Sequence, residues 1–322
     1  MQDDPVRSDL GASAADGAEG LFRAQSRGLW GLAYRLTGSA EDADDVVQES
    51  FARLLASPPT RGQPLRPWLV RVATNLCIDA LRRRRRRAYT GAWLPAPAKE
   101  PEGGWDECLA SPAPDPEARY GLLESASYAF LVALEELGPR QRAVLLLRDV
   151  LGYSAAEAAS ALGTSEGNVR VVHLRARRAM ERYDGARRPR TPELAARHRA
   201  ALERFLGAML AQDARGVEAI LREDVETSTD GGGAYTALHT TLRGRDRVAR
   251  FFLRAALQRR EADPKAEIRL ANGLPVLLIS LGRPVRRQAP CTLIRCDLDD
   301  AGRIRGIHAI LAPRKLAAVR FR

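Results

Sequence analysis

The 322-residue chain has few of the side chains that usually hold metals or form crosslinks: four Cys and four His. Cys77, Cys108, Cys291 and Cys296 are scattered and show no CxxC spacing, and the His residues are equally dispersed. This excludes a closed zinc set and a disulfide scaffold; the plain reading is reduced, intracellular thiols with no metal and no cofactor. Cys291 and Cys296 lie five apart in an expected strand, so they face opposite ways and could not share a metal. No apolar run approaches the roughly 18 residues of a membrane helix. The longest, Leu274 to Leu281, fits a buried strand. The N-terminal MQDDPVRSDLGASAADGAEG lacks the basic-then-apolar order of a signal peptide and reads as a disordered tail over 1–20. A cytoplasmic protein without a membrane partner is expected.

What is present is charge and helix punctuation. The net charge is +11 and 45% of residues are hydrophobic, enough for two or three domains with real cores. The basic excess favours nucleic acid over an acidic small substrate, although charge alone does not separate DNA from a membrane surface. Residues 137–180 read as a DNA-binding helix-turn-helix. An apolar-periodic helix from about Pro139 to Leu151 is followed by Ser154 and Glu157, a capping box that opens an Ala-rich helix over 155–162. Gly163 ends it, and Thr164 or Ser165 can cap the next helix, which carries Asn168, Arg170, His173, Arg175, Arg177 and Arg178. The second helix of such a pair enters the major groove, where Arg reads guanine or binds phosphate. From Leu137 to Arg190 there are 11 Arg against five acidic residues.

Residues 21–88 read as all-helical. Leu21 to Leu36 has helical spacing, Thr37-Gly38 breaks it, and Ser39 with Asp42 caps a helix running through Leu55. A third helix starts near Pro67, with Trp68, Leu69, Val72, Leu76, Ile78 and Leu81 on its apolar face. Six consecutive Arg, 82–87, end it; they suit the negative end of a helix dipole, and composition alone also allows a nuclear-localisation run. Asn75 and Asp79 on the same helix make phosphate contact beside a base a further reading. Residues 89–116, rich in Pro, Gly, Ala and Glu, form a linker in which Trp93-Leu94-Pro95 is too apolar for an idle spacer. A helix over about 117–137 leads into the helix-turn-helix. Beyond Pro192 the pattern is mixed: helices at 193–211, 214–221 and 244–260, strands at 225–229, 265–271, 274–281, 290–298 and 303–311, with GRPVRRQAP, 282–290, joining two of the strands as a hairpin-like loop. A curved, mostly antiparallel sheet cradling helices is expected.

These motifs resemble extracytoplasmic-function (ECF) sigma factors, the promoter-recognition subunits of bacterial RNA polymerase. The resemblance covers 21–88 (region two) and about 117–186 (region four). It implies that DADDVVQESFARL, 42–54, presents Asp42, Asp45, Gln48 and Glu49 to the polymerase, whose largest-subunit clamp and flap are the implied contacts. It implies that RPWLVRVATNLCIDALRRR, 66–84, meets the −10 element through Arg66, Asn75, Asp79, Arg82 and Arg83, with Arg61 in the base-capturing loop. SEGNVRVVHLRAR, 165–177, resembles the −35 recognition helix, with Asn168, Arg170, Val171, Leu174 and Arg175 as contacts. Residues 193–318 resemble a SnoaL-like α+β cone. Sigma factors with that extension carry WLPEP-like and DGGGK-like motifs; this chain has Trp93-Leu94-Pro95-Ala96-Pro97 and Asp230-Gly231-Gly232-Gly233-Ala234, lacking the acid at Ala96 and the lysine at Ala234. The resemblance implies that the extension regulates from within the chain, with no separate anti-sigma factor required. Three successive glycines permit positive φ and a tight contact with the 93–97 segment.

Two other readings remain at this level. A stand-alone helix-turn-helix regulator with a ligand-sensing C-terminal domain would need neither the acidic 42–49 face nor the basic 66–87 helix. An enzyme would need a convergent acid–base pair among Asp224, Asp230, His239 and His308. Strand alternation puts His308 on the face of Ile304 and Gly306, opposite Ile307.

Overall fold

The computed structural model describes residues 6–60, 64–86, 89, 91–99 and 119–319, the side chains of 6–19 and Ala318 excepted. Three helices begin the chain: α1 (Val6–Thr37), α2 (Ala40–Ala56) and α3 (Leu65–Arg86). The backbone of 6–19 is therefore helical where a disordered tail was expected. Gly38 breaks α1 with φ +66°, and the Ser39 hydroxyl accepts the Asp42 N–H to start α2. Short helices α4 (Leu122–Ser125) and α5 (Tyr128–Leu134) replace the single helix read over 117–137. The cause is local: the Ser127 hydroxyl accepts the Phe130 N–H and begins a new helix there.

The helix-turn-helix is α6 (Pro139–Leu145), α7 (Ala155–Leu162) and α8 (Glu166–Ala179). The capping box at Ser154 and Glu157 is present, Gly163 adopts φ +60°, and Ser165 rather than Thr164 caps α8. The first helix does not run evenly to Leu151: Leu146–Val150 is a π turn, closed by Leu151 N–H donating to Leu146 O. Helix α9 (Glu181–Ala186) follows.

The first three helices and the helix-turn-helix share one apolar core. Leu29, Leu36, Val47, Leu69 and Cys77 pack in the same cluster as Phe130, Leu134, Leu145, Val169 and Met180. Arginines cross the seam by satisfying the orphan carbonyls at the end of α1. Arg142, 2% exposed, donates to Leu36 O (2.9 Å) and Glu135 (2.9 Å), and Arg84 donates to Thr37 O (2.7 Å) and Glu135 (3.0 Å).

The C-terminal domain is α+β. Helices α10 (Pro192–Leu210), α11 (Ala214–Ile220) and α12 (Arg245–Arg259) cover one face of a six-stranded sheet. The strands are β1 (Leu221–Asp230), β2 (Leu242–Arg243), β3 (Pro264–Ala271), β4 (Leu274–Leu281), β5 (Cys291–Leu298) and β6 (Ile304–Ile310), in the order β2-β1-β6-β5-β4-β3. All pairs are antiparallel except β1–β6. The other sheet face receives Leu94 of the linker, Tyr128 of α5, and Leu316 of a last short helix, α13 (Pro313–Leu316). Cys291 and Cys296 do face opposite ways, the first toward this second cluster and the second into the helical core. His308 does lie opposite Ile307, as alternation requires, but Ile304 is not on its face. The ladder slips between Ile304 and Gly306, so Ile304 and Ile307 share the helical core while His308 turns to the other face.

His198 on α10 is 5% exposed, and burial together with nearby Arg295 pushes its pKa down to about 4. The folded chain then binds fewer protons than the unfolded one between that value and the ordinary ~6.5. This stability is complete above about pH 6.5 and is lost as pH falls toward 4. Urea titrations near neutrality and near pH 5 should differ by on the order of 1–2 kcal/mol from this group. The difference should shrink in His198→Gln; an equal difference in that variant would assign it to other groups.

Candidate nucleic-acid interface

Helix α8 is amphipathic in a way that decides which side chains can meet DNA. Val169, His173, Ala176 and Met180 face the core, leaving Asn168, Arg170, Val171, Leu174 and Arg175 exposed on one side. Val171 and Leu174 are 49% and 53% exposed, unusual for aliphatic groups with no partner and suited to thymine methyls. Asn168 donates to Thr164 Oγ1 (2.8 Å), and Arg170 pairs with Glu166 (3.1 Å), both exposed contacts that DNA can displace. Two residues of the motif turn inward instead. His173 Nε2 and Arg177 Nη2 lie 2.9 and 2.6 Å from the Asp149 carboxylate, which sits in the π turn with 1% of its side chain exposed. Despite its burial, those partners hold the Asp149 carboxyl below its ordinary range.

The basic helix α3 divides its charge. Arg71, Asn75, Asp79, Arg82, Arg83 and Arg86 are exposed, with Arg82 and Asp79 paired at 3.2 Å, and Arg66 is half-buried. Arg84 and Arg85 point across the seam, the latter donating to Leu137 O (2.6 Å). Asp79, Arg82, Arg85 and Arg86 line an open groove whose other wall is Gly138–Gln141. Arg61 and Arg87 lie outside the described residues. On α2, Val46, Val47 and Phe51 are buried, while Asp45, Gln48 and Glu49 are exposed and Asp42 is half-buried. Glu49 pairs with Arg53 at 2.8 Å, and Glu41 on the same helix meets Arg314 at 3.4 Å.

The WLPAP segment is held from three sides. Ala96 N–H donates to Gly38 O (2.7 Å), and Ala96 O accepts from Tyr34 Oη (2.7 Å). Leu94 N–H donates to Asp230 Oδ2 (2.8 Å), and Lys315 Nζ reaches both Leu94 O and Asp230 Oδ2 at 2.5 Å. Tyr89 also donates to Asp230. Arg84 and Lys315 lie over the Trp93 ring at 3.5 and 3.8 Å from its centroid, cation–π contacts in a shielded setting. Burial pushes the Lys315 ammonium down to about 8 against the opposing pull of Asp230. Asn272, 3% exposed, completes the junction: its backbone N–H and side-chain oxygen pair with Ala98, and its Nδ2 donates to Tyr34 Oη (2.8 Å) and Ala126 O (2.9 Å). The glycines act on the backbone while Asp230 makes the linker contact. Gly232 and Gly233 take positive φ, and a Cβ on Gly231 would fall 2.3 Å from Tyr235 O. The two motif departures leave no gap. Ala96 is bound through its backbone, Ala234 is exposed, and Lys315 supplies the cation on Asp230.

The four acid–base candidates do not converge. Asp224 is exposed and paired with Arg222, His239 is exposed, His308 contacts Asp297 (3.2 Å), and Asp230 is held by the junction.

Comparison with known proteins accords with this geometry. The family described as Sigma-70 region 2 matches residues 21–87, and Sigma-70, region 4 matches 127–180. ECF RNA polymerase sigma factor SigJ of Mycobacterium tuberculosis is 38% identical over 234 residues, covering 72% of this chain and 71% of SigJ. The chain belongs to the ECF RNA polymerase sigma factors. Probable ECF RNA polymerase sigma factor SigI of the same species is 27% identical over 317 residues, 96% of this chain and 98% of SigI. The crystal structure of SigJ superposes with TM-score 0.67 at 28% identity, covering 93% of this chain and 98% of that one. The likeness extends through the C-terminal domain, so the two helical sigma regions and the α+β extension are one shared architecture. Members of this family initiate transcription by binding and are not enzymes.

Sequence reading identified Trp93, Leu94, Pro95 and Asp230 but missed Tyr34, Asn272 and Lys315. Each looks ordinary in its own segment; only positive φ at Asn272 (+50°), which Asn tolerates, marks it locally. Asp230→Ala should strand Lys315 uncompensated and weaken the junction by about 3–5 kcal/mol. Amide hydrogen exchange at Leu94 and Ala96 measures this: faster exchange is expected, and unchanged protection would mean that the linker is held without Asp230.

Proposed function

We propose that the chain directs core RNA polymerase to −35/−10 promoters and that its C-terminal domain modulates this activity in cis. The observation that carries the reading is the exposed face of α8 in a region-four helix-turn-helix, where Val171 and Leu174 stand in solvent and Asn168 and Arg170 make only exposed local contacts. The exposed stripe of α3 and the acidic face of α2 support the −10 and polymerase-clamp contacts respectively. In this reading Asn168, Arg170, Val171, Leu174 and Arg175 read the −35 element. Arg66, Asn75, Asp79, Arg82 and Arg83, with Arg61 beyond the described residues, serve the −10 element. Asp42, Asp45, Gln48 and Glu49 meet the polymerase, and the flap is the expected partner of region four.

Regulation in cis is supported by the junction. The core of the region-two helices is continuous with that of region four, and Asp230, Asn272 and Lys315 clasp the linker between them. Reaching two separated promoter elements requires that shared core to part. The C-terminal domain thus fills the place of a separate anti-sigma factor in this reading, inside the cytoplasm where promoter DNA is found. No described helix is long and apolar enough to cross a membrane.

Size-exclusion co-elution with bacterial core polymerase near physiological salt tests the main reading, because low salt lets any basic protein bind polyanions. A stoichiometric complex is expected from the full chain or from residues 1–192. Failure of both would leave a stand-alone DNA-binding regulator. Asp45→Arg with Glu49→Arg should weaken that complex by charge repulsion, and unchanged affinity would remove α2 from the interface. Arg170→Ala should cut −35 discrimination by about 1–3 kcal/mol. A loss equal across sequences would make Arg170 a phosphate contact.

A further inference from the structure

The charge of the C-terminal domain is unevenly placed. Residues 247–260 and 282–290 contain eight Arg and no Asp or Glu, whereas the rest of 193–316 holds 14 basic and 15 acidic residues. A merely solvated surface interleaves the two signs; here these two segments carry the whole excess, with Asp246 and Glu261 just beyond the ends of the first and Glu223 beside Arg247 and Arg250. The fold explains its position. Helix α12 turns Val248, Ala249 and Phe252 into the core, so Arg247, Arg250 and Arg254 stand exposed on its opposite side. Steps of three and four residues space them by about 4.5–6 Å along the helix axis. The β4–β5 loop extends the ridge, because Gln288 donates to Gln258 O (3.1 Å) and Arg283 N–H to Ala262 O (3.0 Å) beside the C-terminal end of α12. That loop exposes Arg283, Arg286 and Arg287. None of these six guanidinium groups has a carboxylate partner among the described residues; Arg250 donates only to Asp246 O.

The ridge lies on the helix-covered side of the sheet, whereas the linker and α5 occupy the other side. It therefore remains in solvent while the junction is closed. Its neighbours Phe251 and Phe252 pack into the domain core, so no aromatic ring of α12 offers a stacking platform for unpaired bases. Guanidinium groups bind phosphate oxygens bidentately, and such contacts carry position rather than sequence.

We propose that this ridge is a second DNA-binding site, taking the phosphodiester backbone of duplex DNA without regard to sequence. It rests on the sigma-factor reading only in that promoter duplex is then the polyanion brought to the chain. Sequence-independent affinity should rise from these contacts, leaving discrimination to α8 and α3.

The test measures binding of the full chain to a labelled duplex lacking promoter elements across a salt series. Each phosphate neutralised adds about 0.9 to the slope of log K against log salt. Replacing Arg247, Arg250 and Arg254 with Gln should lower the slope by about 2–3, and adding Arg283→Gln, Arg286→Gln and Arg287→Gln should lower it further. All six are exposed, so the thermal midpoint serves as a control and should stay put. A slope unchanged in both variants overturns the proposal. An unchanged slope with lost co-elution on core polymerase overturns it too, in favour of an acidic protein surface as occupant. Wild-type co-elution with core polymerase is read separately, so failure of the sigma assignment and failure of the ridge are distinguishable.

Discussion

Asp230 carries a carboxylate with no exposed side-chain surface, and the arrangement of the chain follows from what that demands. A buried charge is tolerated only when paired and fully hydrogen-bonded. Here Leu94 N–H, the Tyr89 hydroxyl, Gly232 N–H and the Lys315 ammonium converge on it. Those donors come from the linker, from the glycine turn after β1 and from α13 near the C-terminus. One buried carboxylate thus ties together segments more than two hundred residues apart. Its backbone carbonyl adds to the knot by accepting both Leu311 and Ala312 N–H.

The second theme is the division of arginines between structure and readiness to bind. Arg142 and Arg84 close the open end of α1 at a buried seam, Arg35 donates to Ser125 and Leu122 across it, and Arg177 anchors α8 to Asp149. These guanidinium groups have multiple donors in fixed geometry, which lets one side chain satisfy a carbonyl and a carboxylate together. The arginines left in solvent are the ones that can exchange water and surface carboxylates for phosphate. Sequence position alone does not predict the class: adjacent Arg83 and Arg84 differ in it, as do Arg175 and Arg177.

The seam between the two helical regions is both apolar and polar, and the linker crosses it under clamp. A tyrosine hydroxyl, Tyr34, accepts from Asn272 and donates to Ala96 O, so a region-two helix, the linker and the extension share a single oxygen. Burial raises the Tyr34 pKa, keeping the hydroxyl neutral and able to donate. Opening the molecule therefore disrupts a connected network rather than independent contacts, which favours two discrete arrangements over a graded one.

The sequence by itself determined the local elements and their chemistry. The Ser154–Glu157 capping box, Gly163, the periodicity of α8 and the alternation of the C-terminal strands all rest on short-range rules of hydrogen bonding and side-chain spacing. That is why the exposed side of α8, the exposed acidic side of α2 and the meeting of the Trp93-Leu94-Pro95 segment with Asp230 were legible. The tertiary structure alone decided the rest. The ladder slip before Gly306 put Ile304 on the face opposite His308, Ser127 divided the helix before the helix-turn-helix, and the π turn aimed Asp149 at α8. Tyr34, Asn272 and Lys315 acquired their roles only when distant segments met, because a buried polar group finds its partners through space and no spacing along the chain encodes them.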